Sequence, residues 1–224
     1  MKEHLAKFSY ECKIVGGGPW VLLTLSLALV ALLHGVLAPA ALWRRHFIEN
    51  CEVVFPVALA LATGPLILTD VRHQVVGWSG RLPRRRVLHL RWLAIWGPFV
   101  GVAAVISIAM AEFWGPVQGG PTALAVMGPA AMLSGLAVCS TSYSGRAGVG
   151  YLVAVGLPAT DFVLHRVGIY ALAPALQWID CLAFRWPEPW PGWAIVCWVQ
   201  LGFGLLLIEY TILVSNSLYH GINS

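Results

Sequence analysis

The chain has 224 residues, of which 58% are hydrophobic and only 11% are charged, and its mean hydropathy is +0.76. A soluble domain is typically about one-quarter charged, so these few charges cannot cover a water-facing surface. The composition therefore predicts an integral membrane protein and excludes a soluble domain. The net charge of +4 is small and its basic excess lies in one segment, which indicates topology and partner docking rather than nucleic-acid binding.

The N-terminal segment, residues 1–18, is polar but patterned. Leu5, Phe8, Cys12 and Val15 recur at a spacing of three to four residues, with charged residues between them. This spacing predicts an amphipathic helix. Such a helix would lie along the membrane interface with its lysines toward the headgroups.

The apolar segments that follow predict an all-α, polytopic fold in which residues 1–224 form a single transmembrane domain. A helix needs about 20 apolar residues to cross a bilayer. Six predicted spans cover residues 20–40, 53–69, 92–111, 122–140, 148–164 and 193–214. Residues 41–52 are predicted to form an outer loop. Pro56 and Gly64-Pro65 are expected to kink the second span.

The segment between the fifth and sixth spans, residues 165–192, is less regular. Its apolar run, residues 167–184, carries Asp180 and is interrupted by Pro174. We predict broken helices that dip into the outer leaflet and return, followed by a Trp- and Pro-rich stretch at the interface. The alternative is a seventh span, which would place the C-terminus outside the cell.

Residues 70–91 form a basic segment between the second and third spans. Six of the fourteen Lys and Arg residues fall here, with Asp70 as the only acid. Positive charge resists translocation, so this segment is expected on the cytoplasmic side. The resulting topology has ten Lys and Arg inside and four outside, and both termini in the cytoplasm.

Glu209 lies in the sixth predicted span, about one turn or more inside its inner end. A charge at that depth is costly and suggests a role in a transport path or its gating. The alternatives are that Glu209 reaches the inner interface or bonds to Tyr210 or Ser215.

Asp161 and His165 form a second candidate group at the outer end of the fifth span. They are four residues apart and share one face of a helix. They could form a gate at the outer mouth or a structural ion-pair group with Arg166.

The five cysteines show no Cys-x-x-Cys pair and no metal-ligand spacing with histidine, so no metal site is predicted. Cys51 and Cys181 both fall on the predicted outer side, where disulfides persist. A disulfide between them is one hypothesis, and packing as small apolar residues is the other.

Taken together, these features resemble a type-2 ABC exporter permease. The resemblance covers nearly the whole chain. It consists of the N-terminal elbow helix, six spans, the basic inner loop, a short inner loop at residues 141–147, and the broken outer helices. The Leu-Pro-Arg-Arg-Arg sequence at residues 82–86 is its most specific motif.

The resemblance implies a partnership with other proteins. Such permeases pair with a second permease chain, identical or related, and are driven by a separate cytoplasmic ATPase that binds ATP and Mg. This chain has no Gly-x-x-x-x-Gly-Lys-Ser/Thr phosphate loop, so it is expected to hold no cofactor and to be no enzyme itself. The substrate would be amphipathic or apolar, and the excess of Arg over Lys favours a bacterial cell membrane.

The basic segment would then be the ATPase-coupling element. The residues expected to carry that role are Asp70, Arg72, Val76, Gly77, Arg81, Pro83, Arg84, Arg85 and Arg86.

Two other classes of protein stay open on the sequence. A membrane scaffold, sensor or immunity subunit could share the same architecture without a transport path. An intramembrane serine protease would need Ser144 as the nucleophile and a histidine base such as His220 within hydrogen-bond reach.

Overall fold

The computed structural model describes residues 13, 15–37, 43–68, 84–114, 119–182 and 192–222. In this part of the chain the backbone is almost entirely helical and contains no strand, which confirms the all-α prediction. Most of the predicted elbow helix and the basic segment from Asp70 to Pro83 lie outside the described residues.

The helices follow one another with short connections. The α-helices are α1 (Gly18–Leu37), α2 (Trp43–Thr63), α3 (Arg84–Trp114), α4 (Gly119–Ser144), α5 (Ala147–Arg166), α6 (Ile169–Leu172) and α7 (Trp193–Ile222). Two 3-10 helices, Gly64–Leu68 and Pro174–Ile179, continue α2 and follow α6. Gly145, with a φ of 65°, makes the tight turn between α4 and α5.

Four helical stretches of the described chain are long and apolar enough to cross a membrane. They are Phe47–Leu68, Ala123–Ser144, Ala147–Arg166 and Trp193–Val214. They coincide with the second, fourth, fifth and sixth predicted spans. The first and third predicted spans coincide with α1 and α3, which are helical but do not belong to these four.

Helix α2 begins ten residues earlier than the predicted second span, because its first turns already have a buried face. Phe47, Cys51 and Phe55 recur every four residues and are each at most 3% exposed. The predicted outer loop at residues 41–52 is therefore wrong from Trp43 onward. Its two acidic residues, Glu49 and Glu52, are buried within the helix rather than exposed in a loop.

Helix α3 likewise begins inside the predicted basic loop. Val87, Leu88 and Arg91 are buried at helical spacing, so packing extends the helix back to Arg84. Residues 84–91 are therefore the first two turns of α3. The predicted loop boundary at residue 91 is too late because the charged residues obscure this apolar face.

Helix α4 lies at the centre of the bundle and packs against α2, α5 and α7. Its contact with α7 is close because small residues meet there. A Cβ added at Gly204 of α7 would lie only 2.1 Å from the carbonyl carbon of Ala131, and one at Gly135 would lie 2.6 Å from the Gly204 carbonyl oxygen. Small residues at such crossings let helix backbones approach in lipid.

Helices α5 and α7 have wide exposed apolar faces. Only 28% of the α5 span and 39% of the α7 span is buried inside the bundle. Leu152 and Leu206 are both at least 70% exposed. In water these faces would be costly, whereas in a bilayer they match the hydrocarbon.

The segment after α5 is broken, as predicted. Gly168 has a φ of 77°, which lets the chain reverse into the four-residue helix α6. Pro174 then starts the six-residue 3-10 helix. Neither piece is long enough to cross a bilayer, so the alternative of a seventh span is wrong, and re-entry into the outer leaflet stays a prediction.

Candidate functional site

One polar cluster joins the start of α3 to α7. We call Arg85, His89 and Glu209 the Glu209 cluster. Arg85 Nη2 forms an ion pair with Glu209 Oε1, and His89 Nε2 lies 2.6 Å from Glu209 Oε2. His89 Nδ1 also lies 2.7 Å from the backbone carbonyl oxygen of Arg85. Arg85 and His89 are one helical turn apart, so both reach the same carboxylate.

The Glu209 cluster is only partly shielded. The side chains of Arg85, His89 and Glu209 are 52%, 36% and 33% exposed. Beside it, the hydroxyl groups of Tyr143 and Tyr210 lie 3.1 Å apart. One alternative predicted that Glu209 bonds to Tyr210. In the structure the Tyr210 hydroxyl instead meets the Tyr143 hydroxyl.

The structure thus brings together two residues that the sequence assigns to different roles. Arg85 belongs to the predicted coupling set, and Glu209 is the predicted path or gate residue. The sequence reasoning missed His89, although its four-residue spacing from Arg85 was a usable signal. Arg86 is exposed on the same turn, and Asp70, Arg72, Val76, Gly77, Arg81 and Pro83 lie outside the described residues.

A second polar cluster lies where α5, α6 and the 3-10 helix meet. We call Asp161, His165, Tyr170 and Asp180 the Asp161 cluster. His165 Nε2 lies 2.7 Å from Asp180 Oδ2, and the Tyr170 hydroxyl donates to Asp161 Oδ1. The rings of His165 and Tyr170 stack with centroids 3.9 Å apart. Asp161 and His165 are thus one turn apart as predicted, but each pairs with a residue beyond α5.

The loop after the 3-10 helix fixes Asp180 in this cluster. The backbone N–H of Leu182 donates to Asp180 Oδ1 at 2.8 Å. Gln200, on α7, donates from Nε2 to the Asp180 carbonyl oxygen at 2.6 Å. The cluster therefore connects α5 to α7 through Asp180, a residue that the sequence reasoning noted but did not place in a site.

Burial makes it costly in free energy for the carboxyl groups of this cluster to be charged. Asp161 and Asp180 are 4% and 3% exposed. Burial raises the pKa of the Asp180 carboxyl group, because the charged form loses its hydration. The Arg166 guanidinium lies over the Phe162 ring, 5.2 Å from the centroid. An ion-pair group of Asp161 and His165 with Arg166 stays a prediction.

The two clusters lie at different levels of the bundle. Gln200, beside Asp180, and Glu209 are nine residues apart on α7. At about 1.5 Å of rise per residue, this separates them by roughly 14 Å along the helix axis. Asp161 and His165 therefore do not share a site with Glu209, although all three are predicted path or gate residues.

Cys51 and Cys181 are buried free thiols, so the structure contains no disulfide between them. Burial raises the pKa of the Cys181 thiol, which keeps it protonated and unreactive. Both cysteines pack as small apolar residues, the other reading of the sequence.

An apolar groove lies beside the Asp161 cluster, between α1, α2 and α5. Its volume is about 700 Å³, and Leu25, Val57 and Phe162 are among its lining residues. Ser26 is one of the few polar residues along it, and its hydroxyl donates to the Leu22 carbonyl oxygen at 2.7 Å. The groove therefore offers an apolar surface with little free hydrogen-bonding capacity.

Comparison of the chain with protein-family models, with curated proteins and with solved structures gives no match. Its two clusters are therefore interpreted from their geometry and chemistry alone.

Proposed function

We propose that this chain is the membrane-spanning permease subunit of an ATP-driven exporter of the type-2 ABC class. The observation that carries the proposal is the pairing of Arg85 with Glu209. It ties the end of the basic inner segment to the last long helix. A partner that moves the basic segment would therefore also move α7.

The mechanical argument rests on the two helices that this pair joins. Helix α3 begins at Arg84, directly after the basic segment, and is 31 residues long. Helix α7 is 30 residues long and packs closely on the central helix α4. Long helices transmit displacement as rigid bodies, so nucleotide-driven closure of an ATPase would be passed from α3 to α7 and α4.

The substrate class follows from the apolar character of the bundle. The groove between α1, α2 and α5 suits an amphipathic or apolar molecule better than a charged one. Export of such a molecule from the bilayer or the cytoplasm requires an energy source. In this proposal ATP and Mg bind to the partner ATPase, and this chain holds neither.

The assembly would contain a second permease chain and two ATPase subunits at the cytoplasmic face of a bacterial membrane. Six spans, an N-terminal elbow helix and cytoplasmic termini complete this proposal. The basic segment from Asp70 to Arg86 would contact the ATPase, and the broken segment after α5 would face outward.

Purification of the tagged chain from its native membrane in mild detergent is the first test. We expect an ATPase subunit with a phosphate loop to copurify, and ATP hydrolysis by the complex to exceed that of the isolated subunit. Copurification of a second permease would distinguish a heterodimer from a homodimer. If no ATPase is recovered even after crosslinking, the chain is a scaffold or sensor subunit instead.

Charge reversal tests the coupling role of the Glu209 cluster. Arg85→Glu places two carboxylates together and should reduce the stimulated ATPase rate by about tenfold or more, in keeping with a coupling energy of about 1–3 kcal/mol. The double variant Arg85→Glu/Glu209→Arg restores the pair and should recover most of that rate.

Arg86→Glu is the matched control, because it makes the same charge change on the same helical turn without a contact to Glu209. Equal losses in the Arg85→Glu and Arg86→Glu variants, with no recovery in the double variant, would show that only the net charge of the segment matters.

A further inference from the structure

The Asp161 cluster contains three side chains that are suited to bind one cation. Asp161, His165 and Asp180 each offer a ligand atom, and these atoms lie within 4.8 Å of one another. A zinc site holds nitrogen and oxygen ligands at about 2.0–2.2 Å from the metal, which places the ligand atoms roughly 3–4 Å apart. Small side-chain rotations would bring the three ligand atoms to this spacing.

One carboxylate oxygen of the cluster receives no hydrogen bond from an N–H or O–H group of the described residues. It is Oδ2 of Asp161, which is buried, while Oδ1 of the same group accepts from Tyr170. The Asp161 and Asp180 carboxyl groups lie close enough to share one proton. An unpartnered carboxylate oxygen in a side chain only 4% exposed is expensive. A cation at this point would be coordinated by Asp161 Oδ2 and would offset the free-energy cost of burying this oxygen.

Hydrogen bonds from neighbouring residues already orient the two carboxylate ligands. Tyr170 fixes Asp161, the Leu182 N–H fixes Asp180, and Gln200 holds the backbone of Asp180. Outer contacts of this kind orient metal ligands and tune their affinity. His165 Nε2 lies 2.7 Å from Asp180 Oδ2, which is a hydrogen-bond distance, so a bound ion would replace the proton that joins these two atoms and would move them slightly apart.

We propose that Asp161, His165 and Asp180 bind a divalent transition-metal ion of the zinc type. Imidazole nitrogen favours such ions over Mg²⁺ and Ca²⁺, and two carboxylates balance their charge. Two ligands come from α5, and the third directly follows the 3-10 helix. The ion would therefore fasten the broken segment to α5, and the Gln200 hydrogen bond would connect it to α7. This inference does not depend on the transport proposal.

Metal content and binding test the site directly. The full-length chain is purified in detergent with a histidine-free tag, stripped with a chelator, and titrated with Zn²⁺. We expect one Zn²⁺ per chain by elemental analysis, no displacement by excess Mg²⁺, and a higher thermal unfolding midpoint with Zn²⁺ than with chelator. Absence of bound Zn²⁺, or an unchanged midpoint, would overturn the proposal.

Variants then assign the ligands. His165→Gln and Asp161→Asn should weaken Zn²⁺ binding by at least about 10- to 100-fold. His89→Gln is the control, because His89 also pairs with a carboxylate but has no second carboxylate in its cluster. Equal loss in the His89→Gln variant would place the ion elsewhere.

A shared proton is the competing occupant of the cluster. If it replaces the metal, Asp161→Asn should raise the unfolding midpoint in chelator and Zn²⁺ should have no effect on the parent chain. That result would also overturn the proposal. If the His165→Gln chain does not fold, the Zn²⁺ response of the parent chain decides.

Discussion

Two tyrosine hydroxyls in this protein make similar hydrogen bonds in very different surroundings. Tyr170 is 4% exposed and donates to the buried Asp161 carboxyl group. Tyr143 is 67% exposed and meets the hydroxyl of Tyr210. A buried acceptor that loses its donor destabilises the folded protein by the full desolvation free energy of that acceptor. An exposed acceptor can form a hydrogen bond to water instead. Burial therefore decides what each bond contributes.

Tyr170→Phe should lower the free energy of unfolding by about 1–3 kcal/mol, because it leaves Asp161 with fewer hydrogen bonds in a buried position. Tyr143→Phe removes the same hydroxyl at an exposed site and should cause no measurable change. Thermal unfolding of both variants, in detergent and with chelator present, compares them. A larger loss in Tyr143→Phe would contradict the assignment of Tyr170 as the supporting contact.

At the residue scale, the sequence identified the ionisable residues whose burial is unfavourable, but it did not identify their hydrogen-bond partners. Glu209 and Asp161 stand out because ionisable residues in apolar helices are rare. Their partners, Arg85 and Tyr170, are 124 and 9 residues away in the chain. Helical spacing tells which residues share a face, and only the packing of helices tells what that face meets.

Among the elements, α4 and α7 show how small residues set a helix contact. Gly204 lies against the backbone of Ala131, whereas a Cβ at Gly202 on the same helix would meet nothing within 4 Å. The two glycines are only two residues apart, so they point to different sides of α7. The contact needs glycine at one position and tolerates a side chain at the other.

Gly204→Leu should separate α4 from α7 and destabilise the protein by about 1–3 kcal/mol or more, as overpacking does. Gly202→Leu adds the same side chain on the exposed side and should leave stability unchanged or slightly higher, since leucine is the better helix former. Unfolding midpoints and size-exclusion profiles in detergent measure both. Similar behaviour of the two variants would mean that α4 and α7 do not pack here.

The boundaries of the elements were less predictable than their centres. The starts of α2 and α3 carry charged residues, which interrupt the apolar pattern from which spans are recognised. Packing continues both helices through these positions because one face remains buried. The break at Pro174 was predictable, since proline cannot continue the hydrogen bonding of the preceding helix.

For the whole molecule, the exposed faces of α5 and α7 and the four apolar stretches indicate a membrane-embedded protein. Helix α5 spans 20 residues, or about 30 Å, which matches the hydrocarbon thickness. A helix of this length that crosses the bilayer has its two ends on opposite sides of the membrane. Ser144 and Arg166 are exposed residues near these two ends.

Cysteine labelling tests this orientation. In intact cells a membrane-impermeant maleimide should label Arg166→Cys, while Ser144→Cys should react only after permeabilisation. The parent chain gives the background labelling, because its Cys139 is half-buried while Cys51, Cys181 and Cys197 are buried. The reverse pattern would invert the predicted topology, and labelling of both from outside would show that α5 does not span.

The sequence by itself determined that this protein is helical and apolar enough for a membrane, where its long helices lie, and where the segment after α5 breaks. These properties depend on local composition and on proline and glycine, which act over a few residues. The tertiary structure alone decided that Arg85 meets Glu209 and that Asp161, His165 and Asp180 converge. Such contacts join distant parts of the chain, so they follow from how the helices pack and not from any local pattern.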